Sequence, residues 1–240
     1  VALNDVSLSG RAGSVHAVTG ENGAGKSTLM NLLAGVHQPT SGTIHLDGRA
    51  VVLTGPRAAH RAGVSTVYQE LTLLPNLTVA ENLYLGREPR RFGLVDRSAM
   101  RREARSVFAR LGVDLEPDTY CGDLTIAQQQ MVEIAKGVAV DANVFIFDEP
   151  TAALNGPEIE KLERLIVSLR DGGHLVFYLS HRLDEIFRFC DTISVMKDAC
   201  HVATLPAADL TRDQLVSLMV GRSLDRFFPP RVPRRPDAPP

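Results

Sequence analysis

Apolar runs of strand length alternate with helical periods along most of the chain, the order of an α/β domain built on a mainly parallel sheet. Four runs set the frame: Val15 to Thr19, Val64 to Tyr68, Asn143 to Phe147 and His174 to Leu179. Polar chemistry begins where each run ends. The first leads into a glycine-rich loop, the second into Gln69, the third into two acids and the fourth into a Ser-His pair. Ligands of open α/β sheets collect beyond the carboxyl ends of the strands, so a site is expected along this edge.

Two features interrupt the alternation. Asp47-Gly48 lies between the apolar stretches of Ile44 to Val52, a two-residue hairpin signal that predicts a small antiparallel β layer beside the sheet. From about Pro75 to Gly137 no strand is expected. There Ser98 is positioned to cap a helix whose Met100, Ala104, Val107, Phe108 and Leu111 share one face, with Gly112 placed to end it. This predicts a helical subdomain inserted into the α/β core. The last twelve residues hold six prolines and three arginines and read as a linker or tail.

Composition narrows the class. With 44% apolar and 22% charged residues, the 240-residue chain suits one large globular domain or two small ones, and collagen-like, disordered and coiled-coil classes are excluded. A net charge of −2 removes any global electrostatic case for nucleic acid or an anionic membrane. Eight arginines fall between Arg87 and Arg110, but Glu88, Asp96 and Glu103 dilute them and no aromatic ladder accompanies them, so a solvated helical face is expected. Cys121, Cys190 and Cys200 show neither CxxC nor zinc spacing, which suits a reducing compartment. The N-terminus lacks a basic segment followed by an apolar one, and no run reaches membrane-spanning length, so a soluble, non-secreted chain is expected.

The segment GENGAGKST at 20–28 matches G-x-x-x-x-G-K-[ST] between a strand and a helix. Gly20, Gly23 and Gly25, with Asn22 among them, let backbone N–H groups converge on phosphate oxygens, and the following helix adds its positive dipole end. Lys26 is expected at the β and γ phosphates of a bound nucleotide, Ser27 on Mg²⁺ and Thr28 beside the α or β phosphate. The bland alternative is a chance glycine turn before an ordinary amphipathic helix with Leu29, Leu32, Leu33 and Val36 as its core face. VFIFDEP at 144–150 ends a buried run in two carboxylates. Asp148 suits Mg²⁺, while Glu149 is placed to take a proton from an attacking water. Taken alone, the same acids also read as a cap for the next helix.

The order of phosphate loop, Gln69, LTIAQ at 124–128, FDEP, TAALN at 151–155 and LSHRLDEIF around His181 resembles the nucleotide-binding domain of an ABC ATPase. Within that superfamily QELTLLPNLTVAENLYLGRE, IAQQQMVEIAKG and LMVGRSL resemble the monosaccharide-import subfamily, whose ATPase subunit carries two such domains in tandem. The likeness is to the first. It implies that residues 1–228 form one such domain, with its helical part at about 75–137, and that 229–240 lead onward. Gln69 would contact Mg²⁺ or the attacking water and relay the nucleotide state to Leu71–Leu85, facing a transmembrane permease. His181 would touch the γ phosphate and hold Glu149, and Asn155 would lie at a domain seam. Thr125 and the backbone up to Gln128 would bind the γ phosphate held on a second nucleotide-binding domain, in tandem or as a dimer. Such a domain would lie in the cytoplasm on the inner face of the membrane, served indirectly by a periplasmic sugar-binding protein, and would not bind nucleic acid.

The chain departs from the family pattern in three places. Thr125, Ile126 and Ala127 replace the serine and two glycines of the usual signature, Asn155 stands where Asp or Thr is usual, and no aromatic precedes Tyr68. The adenine-stacking aromatic would then belong before Val1, and the chain is expected to be a fragment of a longer subunit. Two alternatives remain at this point: a soluble, non-transport ABC ATPase, and a low-turnover regulatory ATP-binding module.

Overall fold

The computed structural model describes residues 2–221, so the stretch read as a linker or tail, 229–240, lies outside the described residues. β1 (Ser14–Thr19) and α1 (Lys26–Leu33) open the fold, followed by β2 (Ile44–Leu46), β3 (Arg49–Val51), α2 (Pro56–Arg61) and β4 (Val64–Val67). Next come α3 (Val79–Tyr84), β5 (Arg90–Arg91), β6 (Leu94–Val95), α4 (Arg97–Leu111) and α5 (Ile126–Val138). β7 (Val144–Asp148), α6 (Gly156–Asp171), β8 (Leu175–Leu179), α7 (Leu183–Phe189), β9 (Thr192–Lys197), β10 (Cys200–Pro206) and α8 (Arg212–Val220) complete it.

The main sheet has the order β10-β9-β1-β8-β7-β4 and is parallel except at β10. β1 and β8 are buried at every position because both faces of the sheet are covered; β8 accordingly reads as an unbroken apolar run, while β1 carries Ser14, His16 and Thr19 into the interior. One face packs against Leu83, Phe108, Met131, Ile134 and Ile166 of α3 to α6. The other packs against Met30, Ala59 and the β2–β3 hairpin. The register pairs Val18 and Asp148 with Leu179, and Val67 with Phe147, so the carboxyl ends of β1, β4, β7 and β8 lie along one edge.

Asp47-Gly48 forms the expected turn, with φ of 49° and 74° and Ile44 opposite Val51. The face of α4 is buried as its spacing predicts, and Gly112 ends the helix in the left-handed region at φ 62°. Its cap differs. Asp96, not Ser98, accepts from the Ala99 N–H, because a carboxylate three residues earlier reaches the free N–H groups while Ser98 already lies inside the helix. The region expected to lack strands contains the β5–β6 hairpin, turned by Phe92-Gly93 with φ of 52° and 83°. The arginine segment is more than a solvated face: Arg87 packs inward and donates to the Leu83 and Lys136 carbonyls at 2.7 and 3.1 Å, closing the ends of α3 and α5. Arg97, Arg101 and Arg105 pair with Glu81, Asp118 and Glu116.

Candidate functional site

The loop after β1 is held in a shape that glycine permits. Gly20, Gly23 and Gly25 have φ of 153°, 83° and 97°. A Cβ on Gly20 would lie 2.1 Å from the Met196 carbonyl oxygen, so this residue also lets the loop cross β9 closely. Around Gly23 the same construction meets nothing within 4 Å, which leaves the cradle open.

The helix that follows has no side-chain cap at Gly25, whereas α3, α5, α6 and α8 each close their first turn with a capping box. The first N–H groups of α1 are therefore free donors beside an open loop, the arrangement that receives a phosphate. Lys26 is buried, and its ammonium donates to the Gly20 and Glu21 carbonyls at 2.8 and 3.0 Å. Burial lowers its pKa, opposed by the charges of Glu149 and Asp148. The helix buries Lys26, Met30 and Ala34, with Leu29 and Leu33 packed half-buried against the same core, while Val36 is 45% exposed.

Asp148 ends β7 and Glu149 follows it. Burial raises the pKa of Asp148, Glu149 raises it further, and a hydrogen bond from Ser27 together with the charge of Lys26 works against both. A hydroxyl and a carboxylate from the two motifs therefore meet beside a lysine. The described residues contain no group of three or more His, Cys, Asp or Glu side chains able to hold a metal, so a cation here needs ligand oxygens from elsewhere. That donor set, one carboxylate and one hydroxyl, fits Mg²⁺ brought with a phosphate chain.

Glu149 has φ of 45°, and its N–H donates to the Leu179 carbonyl at 3.0 Å. This fixes the turn so that its Oε1 lies 3.0 Å from Nδ1 of His181, just past β8. A carboxylate accepts only, so Nδ1 carries the shared proton.

Gln69 is exposed just beyond β4, next to β7 in the sheet. Asn22 and Ser27 are exposed along the loop and Thr28 is half-buried. Thr125 and Gln128 stand apart: they cap α5 reciprocally, and no hydrogen bond among the described residues joins them to the phosphate loop. Asn155 caps α6 by the same device with Glu158. Sequence reasoning passed over Glu185, a buried carboxylate that accepts from Thr151, Tyr178 and Ser180. The signal was an acid between apolar positions on the inward face of α7, with Ile186 and Phe189.

Among curated proteins, the putative ribose/galactose/methyl galactoside import ATP-binding protein 1 of Burkholderia lata is 52% identical over 229 residues, 95% of this chain and 45% of that protein. The ribose import ATP-binding protein RbsA 3 of Rubrobacter xylanophilus is 53% identical over 95% of this chain and 46% of its own length. The chain therefore spans about half the length of the curated relatives it matches. Of solved structures, a dimeric ATP-binding cassette in a post-hydrolysis state bound to ADP and Pi has a TM-score of 0.75 at 24% identity, covering 86% of this chain and 90% of that one. Another ATP-binding cassette of an ABC transporter reaches 0.79 at 23%, covering 92% and 91%. The family model described as ABC transporter matches residues 3–152, from before β1 to just past the acids that end β7. Both motifs of the site fall inside that match, and the chain belongs to the ABC transporter family.

Proposed function

We propose that this domain binds Mg-ATP and hydrolyses it, and that hydrolysis drives import of a simple sugar through a transmembrane permease. The contact between Glu149 and His181, beside an uncapped helix terminus that carries a buried lysine, supports hydrolysis over mere binding. Free N–H groups of α1 and the Lys26 ammonium hold the phosphates. Ser27 and Asp148, with Gln69 nearby, would hold Mg²⁺, which supplies charge neutralisation to the phosphate oxygens when bound. Glu149 takes a proton from the water that attacks the γ phosphate, and His181 keeps that carboxylate aimed. The names of the curated relatives support the sugar assignment. No helix among the described residues is long and apolar enough to cross a membrane. The domain would act on the permease from the cytoplasmic face, a reading that rests on the import role in the names of the curated relatives. Thr125 and the backbone up to Gln128 would bind the γ phosphate held on a second nucleotide-binding domain, in tandem or as a dimer, whose corresponding segment would complete the site described above.

Single-turnover measurement with saturating Mg-ATP tests the reading. Glu149→Gln is expected to retain nucleotide binding and slow hydrolysis by roughly 10² to 10⁴. Lys26→Ala is expected to lose both binding and turnover, the latter by about 10² or more. Turnover of Glu149→Gln equal to the wild type would place the base elsewhere.

A further inference from the structure

Glu149 and His181 come from different strand ends, and their meeting needs the two segments to be fixed against each other. Besides the pairing of Asp148 with Leu179 and the Glu149 N–H bond to the Leu179 carbonyl, one buried side chain joins them. Oε2 of Glu185, in the first turn of α7, accepts from the Thr151 hydroxyl at 3.2 Å, two residues past Glu149. The same oxygen accepts from Ser180 at 3.1 Å, immediately before His181, and from the Tyr178 phenol at 2.7 Å, inside β8. Oε1 faces the Arg182 guanidinium at 3.4 Å, immediately after His181, and the Arg182 N–H donates to Ser180 Oγ at 3.0 Å. The Ser180 carbonyl in turn accepts from Thr19, the last residue before the phosphate loop. Thr151, Tyr178, Ser180 and Glu185 are all buried, so these bonds form where water does not compete.

We propose that Glu185 is a positioning residue for ATP hydrolysis: it ties the segment bearing Glu149 to the segment bearing His181 and so fixes the distance between them, without itself touching nucleotide. The inference rests on the hydrolysis reading above. A carboxylate suits the task because one oxygen can accept several hydroxyl donors while the other pairs with a guanidinium. Burial and the neighbouring Glu185 charge push the Tyr178 phenol well above its ordinary pKa, which keeps it a donor at neutral pH. His181 is itself mostly exposed, with 62% of its side chain accessible, so packing does little to hold it and the hydrogen bonds flanking it carry the placement.

The test uses the full chain and a double-mutant cycle on Mg-ATP turnover. Glu185→Gln, which keeps the shape and one acceptor oxygen, is expected to lower kcat roughly ten- to a hundredfold while leaving KM for Mg-ATP within about twofold. In a His181→Ala background the same substitution is expected to change kcat by less than about twofold, because the contact it serves is already gone. Thr151→Val and Ser180→Ala each cut one tie while keeping the carboxylate, and should show the same split between kcat and KM if Glu185→Gln fails to fold. Independent losses in Glu185→Gln and His181→Ala, or a rise in KM that accounts for the whole effect, would overturn the assignment. Normal turnover in both the wild type and Glu185→Gln overturns the positioning role alone. A wild type that binds Mg-ATP without turning it over removes the hydrolysis reading and this role with it.

Discussion

At Glu149 the chain adopts a backbone conformation that residues with a Cβ enter at a cost of about 1–2 kcal/mol, its φ being 45°. The carboxylate also raises the pKa of the adjacent Asp148, a sign of repulsion between them. Function and stability are therefore opposed at this position. Glu149→Ala and Glu149→Gly both delete the carboxylate, but only glycine relieves the backbone. After allowing for the freedom glycine adds to the unfolded chain, Glu149→Gly is expected to be the more stable of the two by about 1 kcal/mol, read from urea midpoints. Equal midpoints would show that the turn carries no strain. A second residue sets an acid limit on the fold. Burial, helped by the charge of His201, lowers the pKa of His16 from 6.5 to about 4, and its Nε2 shares a 2.7 Å hydrogen bond with Ser194. The unfolded chain binds this proton more readily than the native one. The contribution is thus complete above pH 6.5 and lost as pH falls toward 4, amounting to roughly 3 kcal/mol. His16→Gln, which does not titrate, is expected to flatten the fall in unfolding free energy between pH 7 and 4; an unchanged profile would assign the acid sensitivity to other groups.

Among the elements, α4 separates what periodicity encodes from what capping decides. Its buried face could be read in advance because Met100, Ala104, Val107, Phe108 and Leu111 repeat at helical spacing, and burial follows that spacing. Its first residue could not, since Asp96 and Ser98 are both competent caps and only the path of the preceding hairpin selects between them. Asp96→Ala is accordingly expected to cost about 1 kcal/mol and Ser98→Ala less than about 0.5 kcal/mol, by thermal or urea unfolding. The reverse order would return the cap to Ser98. That hairpin escaped notice for a related reason. Phe92-Gly93 is a poor match to the Asn-Gly or Asp-Gly turn signal, and its two-residue strands are too short to show alternation. β9 and β10 were likewise missing from the four framing runs: they turn at Asp198-Ala199, with φ of 49° and 64°, and no glycine marks the turn. The site fared better because its chemistry is local. A phosphate loop and an acid pair are each contiguous in sequence, whereas the Glu185 cluster joins residues 3 to 34 positions apart, and its tie to Thr151 emerges only when β7 and β8 pair.

The whole molecule places its open cradle at one sheet edge and its capped α5 terminus on a separate helical layer, with no hydrogen bond between the two among the described residues. Thr125 lies exposed, and Ile126 beside it is 60% exposed, a large apolar side chain left at a helix start. Under the proposed function these belong to a neighbouring molecule's site, so that two copies related by a twofold axis would form two composite sites, each using the loop of one and the α5 terminus of the other. Turnover per molecule should then rise in proportion to protein concentration while dimers are rare, roughly tenfold for each tenfold in protein. Mixing gives a sharper test. Lys26→Ala removes the loop's charge but keeps Thr125, and Thr125→Arg blocks the terminus but keeps the loop, so each variant alone should be inactive. In an equal mixture about half of the dimers pair one of each, and each such pair holds one intact site of its two. The mixture should therefore recover about a quarter of the wild-type rate. No recovery, together with concentration-independent turnover of the wild type, would mean that loop and terminus do not cooperate between chains and that one domain completes its own site.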